Sequence, residues 1–378
     1  MKVVLTGGGT GGHFYPLIAV AEEIYRICEE RRILEPQLYY IGPEPYDRQA
    51  LLEHNITFVQ SPAGKMRRYA SILNILDMFK TFSGIIQSIF QLYSLYPDVV
   101  FCKGGYAAFP TVVAARILTI PVIVHESDAS VGRTNKYASK FAKYIGISYP
   151  GTEDQMLAPR EKIALVGNPV RKDVMFPAKE GMHTFLELSP ELPTILVLGG
   201  SSGAQTINNT ILDALTLLLP KYQIVHQTGA ANLEEVRGIS HVMLNNNEYA
   251  QRYKTYGFLN ALALKMAAGA ASLVVSRAGT GGIFEIAQWG LPSIIVPIPE
   301  EISHDQTKNA FAYMRAGACT VIEQKNLTSH ILASEIDRIM ETKEIRENMS
   351  RAARAFARPD AAKKMAQVIL ATVLEHED

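Results

Sequence analysis

Three glycine-rich turns, each set after a short apolar run and before a helical pattern, carry the residue types that suit phosphate binding. They are Thr6-Gly-Gly-Gly-Thr-Gly-Gly-His13, Gly199-Gly-Ser-Ser-Gly-Ala204 and Ser276-Arg-Ala-Gly-Thr-Gly-Gly-Ile-Phe-Glu285. At such a turn the unpaired N–H groups of a helix N-terminus and the positive end of its dipole meet an anion, and glycine lets the anion come close. Neither of the first two is a dinucleotide fingerprint, since no acidic residue closes the next strand, Gln37-Leu-Tyr-Tyr-Ile-Gly42, and neither holds a Walker lysine. The third turn adds Glu285 on the first or second turn of its helix. A carboxylate beside a phosphate site suits the hydroxyl pair of a ribose; a glutamate favoured by the helix dipole is the alternative. Farther on, Gln306 and Asn309 stand three apart at a helix head, where their amides suit sugar hydroxyls or simply start the helix.

The elements that must position these turns alternate between strand and helix, the signature of parallel sheets in an α/β fold. Strands are expected at 2–6, 37–42, 56–59, 98–102, 121–124, 144–147 and 163–166, then at 194–198, 222–226, 240–243, 272–275, 293–296 and 319–322. Helical spacing over Phe14 to Cys28 (Leu17, Val20, Ala21, Ile24, Ile27) and over Ile207 to Leu219 follows the first two turns. A chain of 378 residues exceeds the size of one growing core, so two domains are expected. The seam falls at Val166-Gly-Asn-Pro-Val-Arg171, and the last helix, Ala361 to Leu374, is expected to return to the first domain.

Charge is balanced, 37 basic against 37 acidic residues, which argues against a general nucleic-acid binder. Cys28, Cys102 and Cys319 are scattered and read as small buried hydrophobes in a reducing compartment. The chain opens directly on a strand, no apolar run reaches the ~18 residues of a membrane span, and no metal-binding motif or resident cofactor is expected. A cytoplasmic location follows as the expectation.

Taken in order, the blocks resemble a known family along essentially the whole chain. They are the loop at 8–13, Gly104-Gly-Tyr106, His125-Glu126 with Gly132 and Asn135, Gly167-Asn-Pro-Val-Arg171, Gly199 to Ala204, Arg277 to Glu285, Gln306 to Asn309, and Pro359-Asp-Ala361. The chain is similar to the bacterial N-acetylglucosaminyltransferases of the MurG type, which convert lipid I to lipid II in peptidoglycan synthesis. That resemblance implies a GT-B fold, two Rossmann-like doubly wound domains facing a central cleft. Residues 1–166 with 359–378 would form the acceptor and membrane-binding domain, and 167–358 the domain that binds UDP-N-acetylglucosamine. It further implies that Arg171 and Ser201 contact the donor diphosphate, Glu285 the ribose, and the backbone near Leu259 the uracil. Thr280, Gly281 and Gly282 would offer N–H groups to sugar and phosphate, and Gln306 and Asn309 would hold sugar hydroxyls. On the acceptor side, Thr10, Gly11 and Gly12 of the first loop and Lys103-Gly104-Gly105-Tyr106 would hold the lipid diphosphate. His125 and Glu126 either position the acceptor or hold the local turn, and Asp128 lies in a stretch expected to touch the acceptor. Two positions depart from the family pattern: Asp128, where asparagine is usual, and Gly282, where threonine is common.

An α-linked sugar nucleotide that yields a β-1,4 bond requires inversion, with a base for the attacking hydroxyl and fixed positive charge for the departing diphosphate. His13 is the candidate base, or else a side chain that shapes the loop. An undecaprenyl-linked acceptor would bring the enzyme to the inner face of the cytoplasmic membrane as a peripheral protein. The basic Lys65-Met-Arg-Arg-Tyr69 and the apolar residues from Ile72 to Phe90 suit such an interface. Membrane contact is expected for Ile72 to Phe82 and burial for Ile85 to Leu95. Two other readings stay open: a GT-B relative acting on another lipid acceptor, and a non-catalytic protein that binds a UDP-sugar.

Overall fold

The computed structural model describes residues 1–9, 11–65, 72–199, 204–299 and 306–375. Thr10, Ser201, His304 and most of the basic Lys65–Tyr69 stretch lie outside the described residues. Two compact units emerge, one of Met1–Arg171 with Arg358–Asp378 and one of Lys172–Ala357.

The first unit's strands are β1 (Lys2–Thr6), β2 (Gln37–Gly42), β3 (Ile56–Gln60), β4 (Val99–Cys102), β5 (Val122–Glu126), β6 (Tyr144–Ile147) and β7 (Ile163–Leu165). All pair in parallel in the order β3-β2-β1-β4-β5-β6-β7. Helices α1 (Gly11–Arg31), α2 (Arg48–Glu53), α3 (Ile72–Leu95), α4 (Phe109–Ile117) and α5 (Arg133–Ala138) connect them. Parallel strands are covered on both faces, so their sequences are almost wholly apolar; all four residues of Val99-Val-Phe-Cys102 are buried.

In the second unit β8 (Thr194–Leu198), β9 (Gln223–Gln227), β10 (Tyr253–Tyr256), β11 (Ala271–Ser276), β12 (Ser293–Ile295) and β13 (Cys319–Val321) form a parallel sheet. Its order, β10-β9-β8-β11-β12-β13, repeats that of the first sheet. The helices are α6 (Lys172–Met175), α7 (Met182–Leu186), α8 (Gln205–Leu218), α9 (Leu233–Met243), α10 (Ala261–Ala270), α11 (Thr280–Trp289), α12 (Gln306–Arg315), α13 (Ser329–Glu341) and α14 (Lys343–Phe356). The last helix, α15 (Ala361–Leu374), belongs to the first unit and packs along α1.

One expected strand is a helix. Residues 240–243 lie in α9, where Val236 and Ser240 are buried four apart and Leu244, buried as the helix cap, continues that helical period rather than an alternation. The strand of that position is β10, Tyr-Lys-Thr-Tyr at the sheet edge, rich in residues that suit a pleated surface but poor in aliphatic signal.

Candidate functional site

In each doubly wound sheet the strand order reverses beside the first strand, and ligands bind outside the carboxyl ends of the strands at that crevice. The crevices lie between β1 and β4 in one unit and between β8 and β11 in the other. Two expected turns therefore share one place in the second unit: Gly199 leaves β8 and Arg277 leaves β11, side by side with Leu198 paired to Ser276.

At the first crevice Thr6 pairs with Cys102, and the Lys103 N–H continues the ladder to Thr6 O at 2.8 Å. The glycine loop after β1 is shaped by close approach. A Cβ at Gly8 would lie 2.5 Å from the Tyr40 hydroxyl, and one at Gly9, whose φ is +88°, would lie 2.7 Å from the Tyr106 ring. The Tyr40 hydroxyl donates to Gly7 O. Gly104 and Gly105 both have positive φ, and a Cβ on Gly105 would strike Gly8 O at 2.8 Å. Gly11, Gly12 and half-buried His13 form the first turn of α1. Burial lowers the His13 pKa; the Asp128 carboxylate opposes that and the Lys103 charge adds to it.

His125 and Glu126, which end β5, are buried with their polar atoms engaged. His125 Nε2 faces Gly167 O at 2.8 Å, so that nitrogen carries the proton and Nδ1 accepts from Lys103 Nζ at 2.6 Å. Glu126 Oε1 accepts from the Asp128 N–H at 3.1 Å, while Oε2 accepts from the Gly132 N–H at 2.9 Å and from Asn135 Nδ2 at 3.0 Å. Of the two readings open for these residues, this geometry favours holding the 126–132 turn. Burial and then Asp128 push the Glu126 pKa up against those three donors. Lys103, expected beside a diphosphate, sends its ammonium inward instead, because three acceptors wait there: His125 Nδ1, Ser127 Oγ and, at 2.9 Å, Asn168 Oδ1.

Arg171, also in the first unit, stacks its guanidinium 4.3 Å from the centre of the Tyr15 ring. The Tyr15 hydroxyl in turn donates to Asp47 Oδ2 at 3.2 Å, and burial pushes its pKa up to about 12.

In the second unit Thr280, Gly281 and Gly282 open α11, and among the described residues a Cβ on Gly281 would meet nothing within 4 Å. Glu285 is half-buried on the second turn of α11. Gln306 Oε1 accepts from the Ala278 N–H and the Ile298 N–H, each at 3.2 Å. Asn309 is fully buried and gives Nδ2 to Ala278 O at 3.3 Å and Thr280 Oγ1 at 3.1 Å. The two amides of α12 thus brace the turn before α11. The Leu259 N–H is held by Gln227 Oε1 at 3.0 Å.

Sequence reading passed over Ser127, Asn168, Tyr15 and Gln227. A lysine between the apolar β4 and a Gly-Gly pair was a signal that something buried needs a charge; nothing local announces the Tyr15–Arg171 stack. Among the described residues no group of three or more His, Cys, Asp or Glu side chains is disposed to hold a metal ion.

Two doubly wound sheets with glycine turns at both crevices have the architecture of the GT-B sugar-nucleotide glycosyltransferases. Residues 3–147 match the glycosyltransferase family 28 N-terminal domain and residues 194–365 its C-terminal domain. The chain is 38% identical over 336 residues, 85% of this chain and 83% of that protein, to the UDP-N-acetylglucosamine–N-acetylmuramyl-(pentapeptide) pyrophosphoryl-undecaprenol N-acetylglucosamine transferase of Treponema denticola. The protein of that name from Treponema pallidum is 35% identical, covering 99% of this chain and 96% of its own length. A crystal structure of Acinetobacter baumannii MurG superposes with a TM-score of 0.74 at 26% identity, covering 98% of this chain and 99% of that one. The chain belongs to the MurG family of N-acetylglucosamine transferases within glycosyltransferase family 28.

Proposed function

We propose that this chain transfers N-acetylglucosamine from UDP-N-acetylglucosamine to the muramoyl 4-hydroxyl of an undecaprenyl-pyrophosphoryl-linked N-acetylmuramoyl-pentapeptide, with inversion and without a metal ion. The observation that carries the reading is a histidine on the first turn of α1, beside paired glycine loops, in a chain 35% identical over 99% of its length to a transferase so named. The acceptor hydroxyl oxygen attacks the anomeric carbon, the bond to UDP breaks with its electron pair, and His13 takes the hydroxyl proton. Thr10, Gly11, Gly12, Gly104, Gly105 and Tyr106 bind the acceptor diphosphate, while His125, Glu126 and Asp128 hold the turn that faces it.

For the donor, N–H groups of Thr280, Gly281 and Gly282, the Arg171 guanidinium and Ser201 receive the charge of the departing diphosphate. Glu285 accepts from the ribose hydroxyls. With its N–H given to Gln227, Leu259 offers its carbonyl to the uracil N–H. Gln306 presents its Nε2 to a sugar hydroxyl, and Asn309 acts through the turn it braces.

The apolar face of α3 rests on the inner surface of the cytoplasmic membrane. What supports this is an inverted helix: its buried side carries Asp77, Gly84, Ser88 and Leu92, whereas Phe79, Phe82 and Phe90 are 65%, 63% and 71% exposed. No helix among the described residues is long and apolar enough to cross a membrane.

The test is UDP release from UDP-N-acetylglucosamine with and without a lipid I analogue, in the presence of a chelator. Acceptor-dependent release that persists under chelation is the expected result. Donor binding without acceptor-dependent release would overturn the acceptor assignment, and loss under chelation the metal-free chemistry.

A further inference from the structure

Lys103 is fully buried, and its side chain passes directly beneath the first glycine loop. A Cβ at Gly7 would come within 2.8 Å of Lys103 Cβ, so the loop lies directly against the base of this side chain. At its far end the ammonium meets His125 Nδ1 at 2.6 Å, Ser127 Oγ, and Asn168 Oδ1 at 2.9 Å. Three acceptors match the three N–H bonds of a protonated amine, and His125 is fixed as acceptor because its other nitrogen faces Gly167 O. One side chain thus ties the ends of β4 and β5 to the segment Gly167-Asn168.

Burying an ammonium without a carboxylate in hydrogen-bond contact is strongly unfavourable, and an apolar side chain of that length would fill the same space at lower cost. The charge therefore needs a reason. The charged and titratable groups facing it are Glu126, Asp128, Cys102 and His125. Burial lowers the Lys103 pKa to about 7, and the Glu126 and Asp128 carboxylates oppose that fall. Above it, His13 senses both Asp128 and Lys103, with opposite signs.

We propose that Lys103 is a positioning residue of the transfer reaction: its buried ammonium fixes His125, Ser127 and Asn168 beneath the glycine loop and, against Asp128, sets the field in which His13 receives the acceptor proton. The inference rests on the reading of His13 as the base. A cation at that depth adds to the burial that keeps the resting imidazole neutral, as a base must be, and also offsets two carboxylates that would repel an incoming diphosphate.

The experiment uses the full chain and measures UDP release with a lipid I analogue across pH 5 to 9 in four variants: Lys103→Met, Lys103→Gln, Asp128→Asn and His13→Ala. Lys103→Gln keeps hydrogen-bond donors and removes the charge, so it serves if Lys103→Met folds poorly. Both lysine variants should move the acidic limb of kcat/KM upward by about half a pH unit or more, and Asp128→Asn should move it downward. The lysine variants should also lose tenfold or more in kcat/KM for the acceptor, with donor KM changed less than about twofold. If the acidic limb stays fixed in Lys103→Gln and Asp128→Asn while His13→Ala is inactive, Lys103 is merely structural and the inference is wrong. Turnover retained in His13→Ala would instead overturn the base assignment.

Discussion

Histidines 13 and 226 are both disfavoured as cations by burial, yet their settings differ in what they leave available. His226 lies inside the second unit, with Nε2 at 3.0 Å from Asn208 Oδ1 and Nδ1 accepting from the Tyr253 hydroxyl at 2.8 Å, and its pKa is pushed down to about 3. Its folded-state pKa lies below the unfolded value of ~6.5, so the stability it confers is complete above that value and is lost as pH falls toward 3. Denaturant unfolding should show a slope approaching about 1.4 kcal/mol per pH unit between pH 6 and 4 that disappears in His226→Gln. An unchanged slope in the variant would assign the acid sensitivity elsewhere. His13, by contrast, is half-buried at a helix start beside the glycine loops. There His13→Ala should lower turnover by a factor on the order of 10²–10⁴ with donor binding retained, measured by UDP release and by titration with UDP-N-acetylglucosamine. Near-normal turnover would remove it from the role. Sequence alone singled out His13 because it closes a glycine loop; the depth of Lys103 beneath it was invisible, since burial depends on strands from three parts of the chain.

Among the elements, α3 has its polarity reversed, and that reversal corrects the expectation for its second half. Ile85 to Leu95 was expected to be buried, but only one face is: Ser88 and Leu92 point inward, while Ile86, Phe90 and Tyr93 are exposed and continue the stripe begun at Ile75. Small residues explain the buried face, because a Cβ at Gly84 would lie 1.8 Å from Pro62 O and Ser88 pairs with the Ser61 hydroxyl at 2.8 Å. The outward side borders an apolar groove of about 690 Å³ lined by Val59, Ile86, Phe90 and Leu95. Replacing Phe79, Phe82 and Phe90 together with serine should abolish flotation with vesicles containing anionic lipid and leave turnover of a water-soluble acceptor analogue within about twofold. Wild-type protein that fails to float would refute the membrane role of this face. Composition revealed the apolar density of α3, but which side faces outward depends on the helix it packs against, α4.

For the whole molecule, α15 closes a unit whose other residues end near position 171. It buries Ala362, Met365, Ala366, Ile369, Leu370 and Val373 in the core shared by Leu17, Ile18 and Ile24 of α1. Ile369→Ala should destabilise the first unit by about 2–4 kcal/mol, read as an earlier first transition in denaturant unfolding. A transition that does not move would mean that the core beneath α15 tolerates its loss. The sequence by itself determined the parallel α/β class, nearly every strand and the glycines that open α1 and α11, because apolar runs and glycine act within a few residues of themselves. It misplaced a strand at 240–243, where helical and extended patterns coincide over four residues. Only the tertiary structure decided that Lys103 reaches His125 and Asn168, that Arg171 stacks on Tyr15, and that Asn309 braces Thr280. These contacts join residues far apart in sequence, and parallel pairing with long crossovers brings them together without leaving a local trace.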